Sequence, residues 1–397
     1  MRRLSADYIF INKYKFLPKG IINIDDAGVI HSIEDTAGKL SETANLEYYN
    51  GILVPGFVNT HCHLELSYLK GVINKNKGLH GFIKEIMIAK KTIPDNLHDL
   101  LERADAEMRA EGIVAVGDIS NTDTTFNLKR QSSIYYHSFL ELYNSGQKPV
   151  NEIITKGLKL KKSLGSLSGN FVPHAPYSVA PKLFTAINKL NSTNPKSIIS
   201  IHNQETEAEN KLFKTQSGLL YDTFVKIGFD FSTFNFENKS SLRSVMKQLP
   251  KDKNILFIHN TFTQENDIDF AENYSNSIYF TFCPASNLYI EGCLPDIPLF
   301  FDKNVKICIG TDSYASNTRL SILHELKIIH KNFPKIPLGE LLEAASLNGA
   351  KALNINHIYG SIETGKNPGI NLLTNIDYEN MHITSESNVI NLTPRIP

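Results

Sequence analysis

The chain has 397 residues, and its 41 basic side chains are balanced by 41 acidic ones, so it carries no excess charge that would attract nucleic acid. No apolar run reaches the length of a membrane span, and the polar residues from Asn12 onward argue against a signal peptide after Arg2 and Arg3. The four cysteines show no Cys-x-x-Cys spacing, so we expect reduced thiols, a cytoplasmic location, and neither a membrane nor a nucleic-acid partner.

Short alternating segments occupy the N-terminal part of the chain. Tyr8–Ile11 and Gly20–Ile24 are separated by Pro18, and the turn sequence Asp25–Gly28 follows them. Short alternating segments between turn formers are typical of antiparallel strands. We therefore expect residues 1–54 to contribute strands to a small sheet.

Two histidines separated by one residue end the next apolar run. In an extended strand, the run Val54–His63 places His61 and His63 on one side and Cys62 on the other. Paired imidazoles can hold a transition-metal ion that prefers nitrogen ligands. Such a pair is also found as two hydrogen-bonded side chains in a half-buried sheet, so the motif alone leaves both interpretations open.

Three later runs repeat this design. Each reads as a buried strand that ends in a residue able to bind a metal: Ser197–His202, Asn254–His259 and Val305–Asp312. Strands that alternate with helices and end in such residues predict a parallel barrel, whose chemistry collects at the carboxyl ends of the strands. The other predicted elements are helices over Leu97–Glu111, Val150–Leu164, Pro181–Leu190 and Leu338–Leu353, and strands over Gly112–Asp118, Ser133–Leu142, Asn170–Pro173 and Ser277–Phe282.

Turn formers and a short apolar run return in the C-terminal segment. Residues 360–369 are rich in turn formers, and Ile370–Leu373 is predicted to be a strand. We expect the two termini to meet in one small sheet beside the barrel. The predicted limits are residues 1–54 and 357–397 for this terminal domain and residues 55–356 for the barrel.

Seven motifs in a fixed order carry a resemblance to a known family. They are Pro-Gly-Phe-Val-Asn-Thr-His-Cys-His from Pro55, Pro-His-Ala-Pro-Tyr-Ser from Pro173, His-Asn-Gln-Glu from His202, His-Asn from His259, Cys-Pro-Ala-Ser-Asn from Cys283, Gly-Thr-Asp-Ser from Gly310 and Gly-Ser-Ile-Glu-Thr-Gly-Lys from Gly360. With these motifs the chain resembles the amidohydrolase superfamily, in the branch of purine and pterin deaminases and s-triazine chlorohydrolases. The segment from His61 to Ser67 is also similar to the His-x-His-x-Glu-x-Ser region of aminodeoxyfutalosine deaminases.

The resemblance implies a fold and a metal centre. The fold is α/β, a distorted (β/α)8 barrel with a small β-sandwich built from both termini. The implied cofactor is one divalent metal ion, with zinc as the expected ion and iron or manganese as alternatives. Relatives with two metals bridge them through a lysine at the end of the fourth strand, where this chain offers His174 instead. The implied ligands are His61, His63, His202 and Asp312.

The resemblance also implies catalytic roles. Glu205 would carry a proton to a ring nitrogen of the substrate, His259 would hydrogen-bond the attacking oxygen, and Asp312 would accept a proton and help to expel ammonia. Because Glu207 and Glu209 lie close by, a solvated acidic loop is the alternative interpretation of Glu205.

Two further residues are candidates for contacts with the substrate. His174 lies between prolines that would make a rigid rim, although a purely structural turn is the alternative. Glu65 continues the spacing of His61 and His63, and it would bind a hydroxyl or amine of the substrate or pair with a cation such as Lys70.

These features together predict a hydrolase acting on carbon–nitrogen bonds other than peptide bonds. We expect a deaminase of an aminated purine-like heterocycle or nucleoside that releases ammonia. Its partner is a small heterocyclic substrate, and assembly into a homo-oligomer is left open. The first alternative is an amide or cyclic amide hydrolase or a chlorohydrolase on the same barrel. The second is a metal-binding scaffold without turnover, which would have no need for a proton carrier such as Glu205.

Overall fold

The computed structural model describes residues 1–41, 44–144, 148–234, 236 and 238–392. Residues 42–43 and 393–397 of the predicted terminal domain lie outside this part of the chain. The strands are β1 Arg2–Asn12, β2 Lys15–Pro18, β3 Ile21–Ile24, β4 Ile30–Glu34, β5 Leu46–Pro55, β6 Phe57–Cys62, β7 Ile113–Ser120, β8 Tyr135–Leu142, β9 Ser168–Pro173, β10 Ile198–Asn203, β11 Asn254–His259, β12 Ile278–Phe282, β13 Ile307–Ile309, β14 Ile370–Asp377 and β15 His382–Asn391. The α-helices are α1 Gly78–Ala89, α2 Leu97–Ala110, α3 Phe126–Gln131, α4 Val150–Leu164, α5 Pro181–Asn191, α6 Glu207–Thr215, α7 Leu219–Lys226, α8 Ser241–Val245, α9 Glu265–Tyr274, α10 Pro284–Ile290, α11 Ile297–Asp302, α12 Ile322–Asn332, α13 Leu338–Ala344 and α14 Leu347–Ala352.

Strands β6 to β13 form a distorted (β/α)8 barrel, as predicted. They make two parallel four-stranded sheets, β6-β7-β8-β9 and β10-β11-β12-β13. Between β9 and β10, hydrogen bonds from the Asn170 side chain take the place of backbone pairing. Its Oδ1 accepts from the Ile198 N–H at 3.0 Å, and its Nδ2 donates to the Ile198 carbonyl at 2.8 Å. Between the end of β13 and β6, the N–H groups of Thr311 and Asp312 both donate to the His61 carbonyl at 3.0 Å. These side-chain and strand-end contacts close the barrel.

The barrel strands are buried on both faces, as parallel strands between a barrel interior and a helical shell must be. Val58, Ala115, Phe139 and Leu256 fill the interior, and each is fully buried. The opposite faces of the same strands pack against the helices in a second, larger cluster. The barrel is therefore a packed core, and polar groups collect where its strands end.

The two termini meet in one sheet, which confirms the predicted small β domain. Its strand order is β15-β14-β5-β1-β3-β4, with β2 paired to β1. The hairpin-like pairs are antiparallel, whereas β1 and β5 are parallel. The limits at residues 54/55 and 356/357 stay predictions.

The passage from this domain into the barrel is short and tight. Strand β5 ends at Pro55 and β6 begins at Phe57. A Cβ atom on Gly56 would lie 2.3 Å from Val114 Cγ1 and 2.7 Å from the Pro368 carbonyl oxygen. Only glycine fits between these groups.

One predicted element is wrong. The sequence predicts one closing helix over 338–353, but the chain forms α13 and α14 with a break at Ser346, whose φ and ψ are −137° and −82°. The Ala345 carbonyl accepts from the Val58 N–H of β6 at 2.9 Å, and the Ser346 hydroxyl donates to the Leu342 carbonyl at 2.5 Å. These bonds take carbonyl groups that a continuous helix would use.

In the part of the chain that the structure describes, none of the helices combines the length and the apolar character that a bilayer-spanning segment needs.

Candidate active site at the mouth of the barrel

The four predicted metal-binding residues come together at the carboxyl ends of β6, β10 and β13. His61 Nε2 and His63 Nε2 are 3.2 Å apart. One ring nitrogen from each of His61, His63 and His202 lies within 4.8 Å of the others. Asp312 Oδ1 lies 3.5 Å from His63 Nε2 and 3.7 Å from His61 Nε2. Three imidazoles and one carboxylate therefore face a single point.

Hydrogen bonds from neighbouring groups orient these side chains. His202 Nδ1 lies 2.8 Å from the His174 carbonyl oxygen, and because a carbonyl can only accept, the proton of neutral His202 is on Nδ1. Asp312 Oδ2 accepts from the hydroxyls of Ser286 at 2.7 Å and Ser316 at 2.6 Å. Such contacts fix the tautomer and the orientation of metal ligands. His202 Nε2 is consequently left with a free lone pair.

Burial keeps the imidazoles in the form that binds metals. Burial lowers the pKa of both His63 and His202 well below the usual value, and the neighbouring imidazoles lower each pKa further. These rings are therefore neutral near pH 7, and neutral imidazole is the form that coordinates metals. The donor set of three imidazoles and one carboxylate fits a divalent transition-metal ion.

Glu205 lies beside this cluster and is not part of a solvated acidic loop. Its side chain is only 7% exposed, and its Oε1 lies 3.7 Å from His259 Nε2. Burial raises the pKa of Glu205 well above its usual value, and the charges of Asp312 and Glu209 raise it further. The carboxyl group therefore carries a proton at a pH at which a solvated glutamate would be ionised.

His259 lies beside Glu205 at the same mouth of the barrel. It ends β11 with a φ of +75°, a backbone conformation that few residues other than glycine adopt. Burial lowers the pKa of His259 to about 3. A neutral imidazole thus stands next to the protonated carboxyl group of Glu205.

The two predicted substrate residues flank the cluster. His174 Nδ1 lies 2.6 Å from Ser178 Oγ, and the His174 ring centroid lies 4.8 Å from that of His202. The chain turns into a 3-10 helix at residues 64–69, so Glu65 does not continue an extended strand. The Glu65 carboxylate instead reaches the loop after β7. The alternative pairing with Lys70 is wrong, because the Lys70 ammonium pairs with Glu107 at 3.7 Å.

Two buried acidic residues of this region do not appear among the predicted site residues. Asp118 in β7 forms a 2.5 Å ion pair with Lys129, and its Oδ1 accepts from the Leu64 N–H at 2.7 Å. Glu141 in β8 has Oε1 3.6 Å from His202 Nδ1. Both lie near the ends of barrel strands, so the rule that found His202 and Asp312 also applies to them.

Comparisons with known proteins agree in fold and family. A model of the amidohydrolase family matches residues 52–394. An adenosine deaminase of Helicobacter pylori is 26% identical over 331 residues, covering 80% of this chain and 78% of that protein. A 5'-deoxyadenosine deaminase of Methanococcus maripaludis is 27% identical over 351 residues, covering 82% and 75%.

Solved structures of similar fold cover almost the whole chain. A Helicobacter pylori aminofutalosine deaminase in complex with methylthio-coformycin has a TM-score of 0.80 at 23% identity, covering 94% of this chain and 92% of that one. A zinc-bound adenosine deaminase of Xanthomonas campestris has a TM-score of 0.75 at 20% identity, covering 96% and 87%. At these identities the likeness supports the fold of the chain and nothing finer.

Proposed function

Because the chain belongs to the amidohydrolase family, we propose that it is a metal-dependent deaminase of adenosine-type nucleosides. It replaces the amino group on the purine ring by a carbonyl oxygen and releases ammonia. The observation that carries this proposal is a buried, proton-bearing Glu205 beside three imidazoles and Asp312 at one barrel mouth. The names of the curated relatives, which are adenosine and 5'-deoxyadenosine deaminases, support the substrate class.

One divalent metal ion would be held by His61, His63, His202 and Asp312. Zinc suits a site of three imidazoles and one carboxylate. When bound, such an ion acts as a Lewis acid that makes a water molecule acidic near neutral pH. The cytoplasm is the proposed location, because the cysteines are free.

Glu205 is the proton donor to the ring. Its protonated carboxyl group delivers a proton to the ring nitrogen next to the carbon that bears the amino group. This proton transfer makes that carbon electrophilic, and a water oxygen adds to it. The raised pKa of Glu205 is what the step needs, because an ionised carboxylate has no proton to give.

His259 and Asp312 act on the attacking water and on the amino group that leaves. His259 hydrogen-bonds the attacking oxygen through Nε2, which lies on the side of Glu205. Asp312 accepts the proton that the attacking water loses and passes it to the amino group. The carbon–nitrogen bond then breaks and ammonia leaves. The proton that remains on the added oxygen passes to the Glu205 carboxylate, which restores the protonated carboxyl group and leaves the oxygen on the ring carbon as a carbonyl. His174 and Glu65 bind the substrate at the edge of the cluster.

The test compares two glutamates that are two positions apart. Glu205 is buried, whereas Glu207 is exposed on the first turn of α6. We expect Glu205→Gln to lose at least about 100-fold in ammonia release from adenosine, as general acid–base residues contribute about 10²–10⁴-fold. Glu207→Gln should keep wild-type turnover, and both variants should keep the wild-type metal content.

The outcomes separate the alternatives. Ammonia release from Glu205→Gln at the wild-type rate would remove the assigned role. Release of only halide or carboxylate from a panel of chlorinated, amide and aminated heterocycles would replace the deaminase by one of the other hydrolases. A wild-type protein that binds metal and turns over nothing in the panel would identify a scaffold.

A further inference from the structure

The proposed proton donor Glu205 follows a sharp turn of the chain at the end of β10. Gln204, the residue before it, has a φ of +46°, a left-handed conformation that few residues other than glycine adopt. Such a conformation persists only where the surrounding contacts hold it. The turn at Gln204 sets the direction in which the Glu205 side chain leaves the backbone.

The carboxyl group of Glu205 is not held by hydrogen bonds of its own. Among the residues that the structure describes, no hydrogen bond reaches its two oxygens. Its contact with His259 Nε2, at 3.7 Å, is longer than a hydrogen bond. The position of this carboxyl group therefore depends on the backbone that carries it.

The side chain of Glu209 holds that backbone. Its Oε1 accepts from the N–H of Gln204 at 3.0 Å, and its Oε2 accepts from the N–H of Glu205 at 3.3 Å. Glu209 is fully buried, with an exposed fraction of 0%. It can therefore not touch a substrate, and any effect on the reaction has to act through the residues that it binds.

The side chain of Gln204 is fixed from the opposite direction. Its Nε2 donates to Asp267 Oδ2 at 2.9 Å and to Asn210 Oδ1 at 3.0 Å, and its Oε1 accepts from the Thr263 hydroxyl at 2.7 Å. Gln204 is thus held both at its side chain and at its N–H group. The N–H group of Glu205 has its acceptor in Glu209 alone among the described residues.

A helix cap is the competing interpretation of Glu209. It is the third residue of α6, a position from which a glutamate often bonds the N–H of the N-cap residue. The N-cap residue of α6 is Thr206, and Glu209 reaches past it to the two residues before it. By contrast Asp267, the third residue of α9, bonds the N–H of its own N-cap residue Gln264 at 3.4 Å. Capping of α6 therefore does not account for these two contacts.

We propose that Glu209 is a positioning residue for Glu205. Its two carboxylate oxygens hold consecutive N–H groups of the turn and so aim the Glu205 carboxyl group at the substrate ring. This inference rests on the proposed deaminase function. It adds a buried residue, remote from the substrate, on which the proton transfer depends.

The experiment is a double-mutant cycle on ammonia release from adenosine. In Glu209→Gln the amide nitrogen cannot accept, so one of the two N–H groups loses its acceptor. We expect kcat to fall by about 10- to 100-fold, as for a misplaced catalytic group, and KM to stay near the wild-type value. Added to Glu205→Gln, the same change should cost at most about twofold more, because the group that it aims is already gone.

Controls separate positioning from general damage. Glu207→Gln changes an exposed glutamate of the same helical turn and should leave kcat unchanged in both backgrounds. Metal content by elemental analysis should match the wild type in every variant. If Glu209→Gln does not fold, Glu209→Asp keeps the charge but shortens the reach of the carboxylate, and it should show the same loss of kcat and the same lack of additivity.

Several results would overturn the proposal. These are a wild-type kcat in Glu209→Gln, an equal fold loss with and without Glu205→Gln, a rise in KM in place of the fall in kcat, or a loss of bound metal. If the wild-type protein releases ammonia from adenosine, each of these results removes the role of Glu209 alone and leaves the deaminase function standing. A wild-type protein that releases ammonia from no nucleoside removes both.

Discussion

Replacing Lys129 by methionine should cost a large part of the stability of the barrel. The Lys129 ammonium and the Asp118 carboxylate are both fully buried and 2.5 Å apart. The ammonium also donates to Ser120 Oγ at 2.9 Å and Ser138 Oγ at 3.0 Å. Removing one partner of a buried ion pair costs about 3–5 kcal/mol, because the other charge stays buried without compensation.

The assay is urea unfolding of the metal-loaded protein, followed by two probes to check that the transition is two-state. We expect Lys129→Met to lower the free energy of unfolding by about 3–5 kcal/mol at unchanged slope. Lys159→Met, at an exposed position of α4, should stay within about 0.5 kcal/mol of the wild type. Adding Asp118→Asn to Lys129→Met should recover part of the loss, since no charge is then buried. A Lys129→Met variant as stable as Lys159→Met would refute the reasoning.

Three further predictions concern pH and packing. The kcat of the wild-type protein should fall as the pH rises through the raised pKa of Glu205, because the carboxyl group loses the proton it donates; a kcat that does not fall with rising pH over the range in which the protein stays folded would contradict this. Burial raises the pKa of Glu209 to about 7, so the folded state keeps a proton that the unfolded state loses near pH 4.5. Stability from this group is complete at low pH and falls by about 3 kcal/mol as the pH rises to 7, and urea unfolding of Glu209→Gln should show that this fall is absent. Gly56→Ala places a methyl group against Val114 and the Pro368 carbonyl, and it should lower the free energy of unfolding by about 1–3 kcal/mol. An unchanged unfolding midpoint would contradict this, because it would mean that the backbone around Gly56 shifts to make room for the methyl group.

The convergence of the metal-binding residues follows from local sequence rules. His61, His202 and Asp312 each stand at the end of an apolar run, and parallel barrel strands bring such ends to one mouth. The same rule covers Asp118 and Glu141, but nothing local distinguishes a carboxylate that pairs with a lysine from one that lies beside a histidine of the metal-binding cluster. Their neighbours, Lys129 beside Asp118 and His202 beside Glu141, are set by the three-dimensional arrangement.

Other features depend on contacts between distant segments. The break at Ser346 arises because Ala345 bonds to Val58 of β6, and residues 338–353 have good helix formers that give no sign of it. The turn that redirects Glu65 depends on the bond from the Leu64 N–H to Asp118. The parallel pairing of β1 with β5 likewise joins segments that the local alternation cannot relate.

Metal analysis tests the central claim most directly. Wild-type protein purified without chelators should contain about one divalent ion per chain by elemental analysis. His63→Ala removes a ring that faces Asp312 and should lose most of the bound ion and the ammonia release with it, whereas His98→Ala, at an exposed position of α2, should keep both. A wild-type protein without bound metal that still releases ammonia, or a His63→Ala variant with full metal content, would contradict the account.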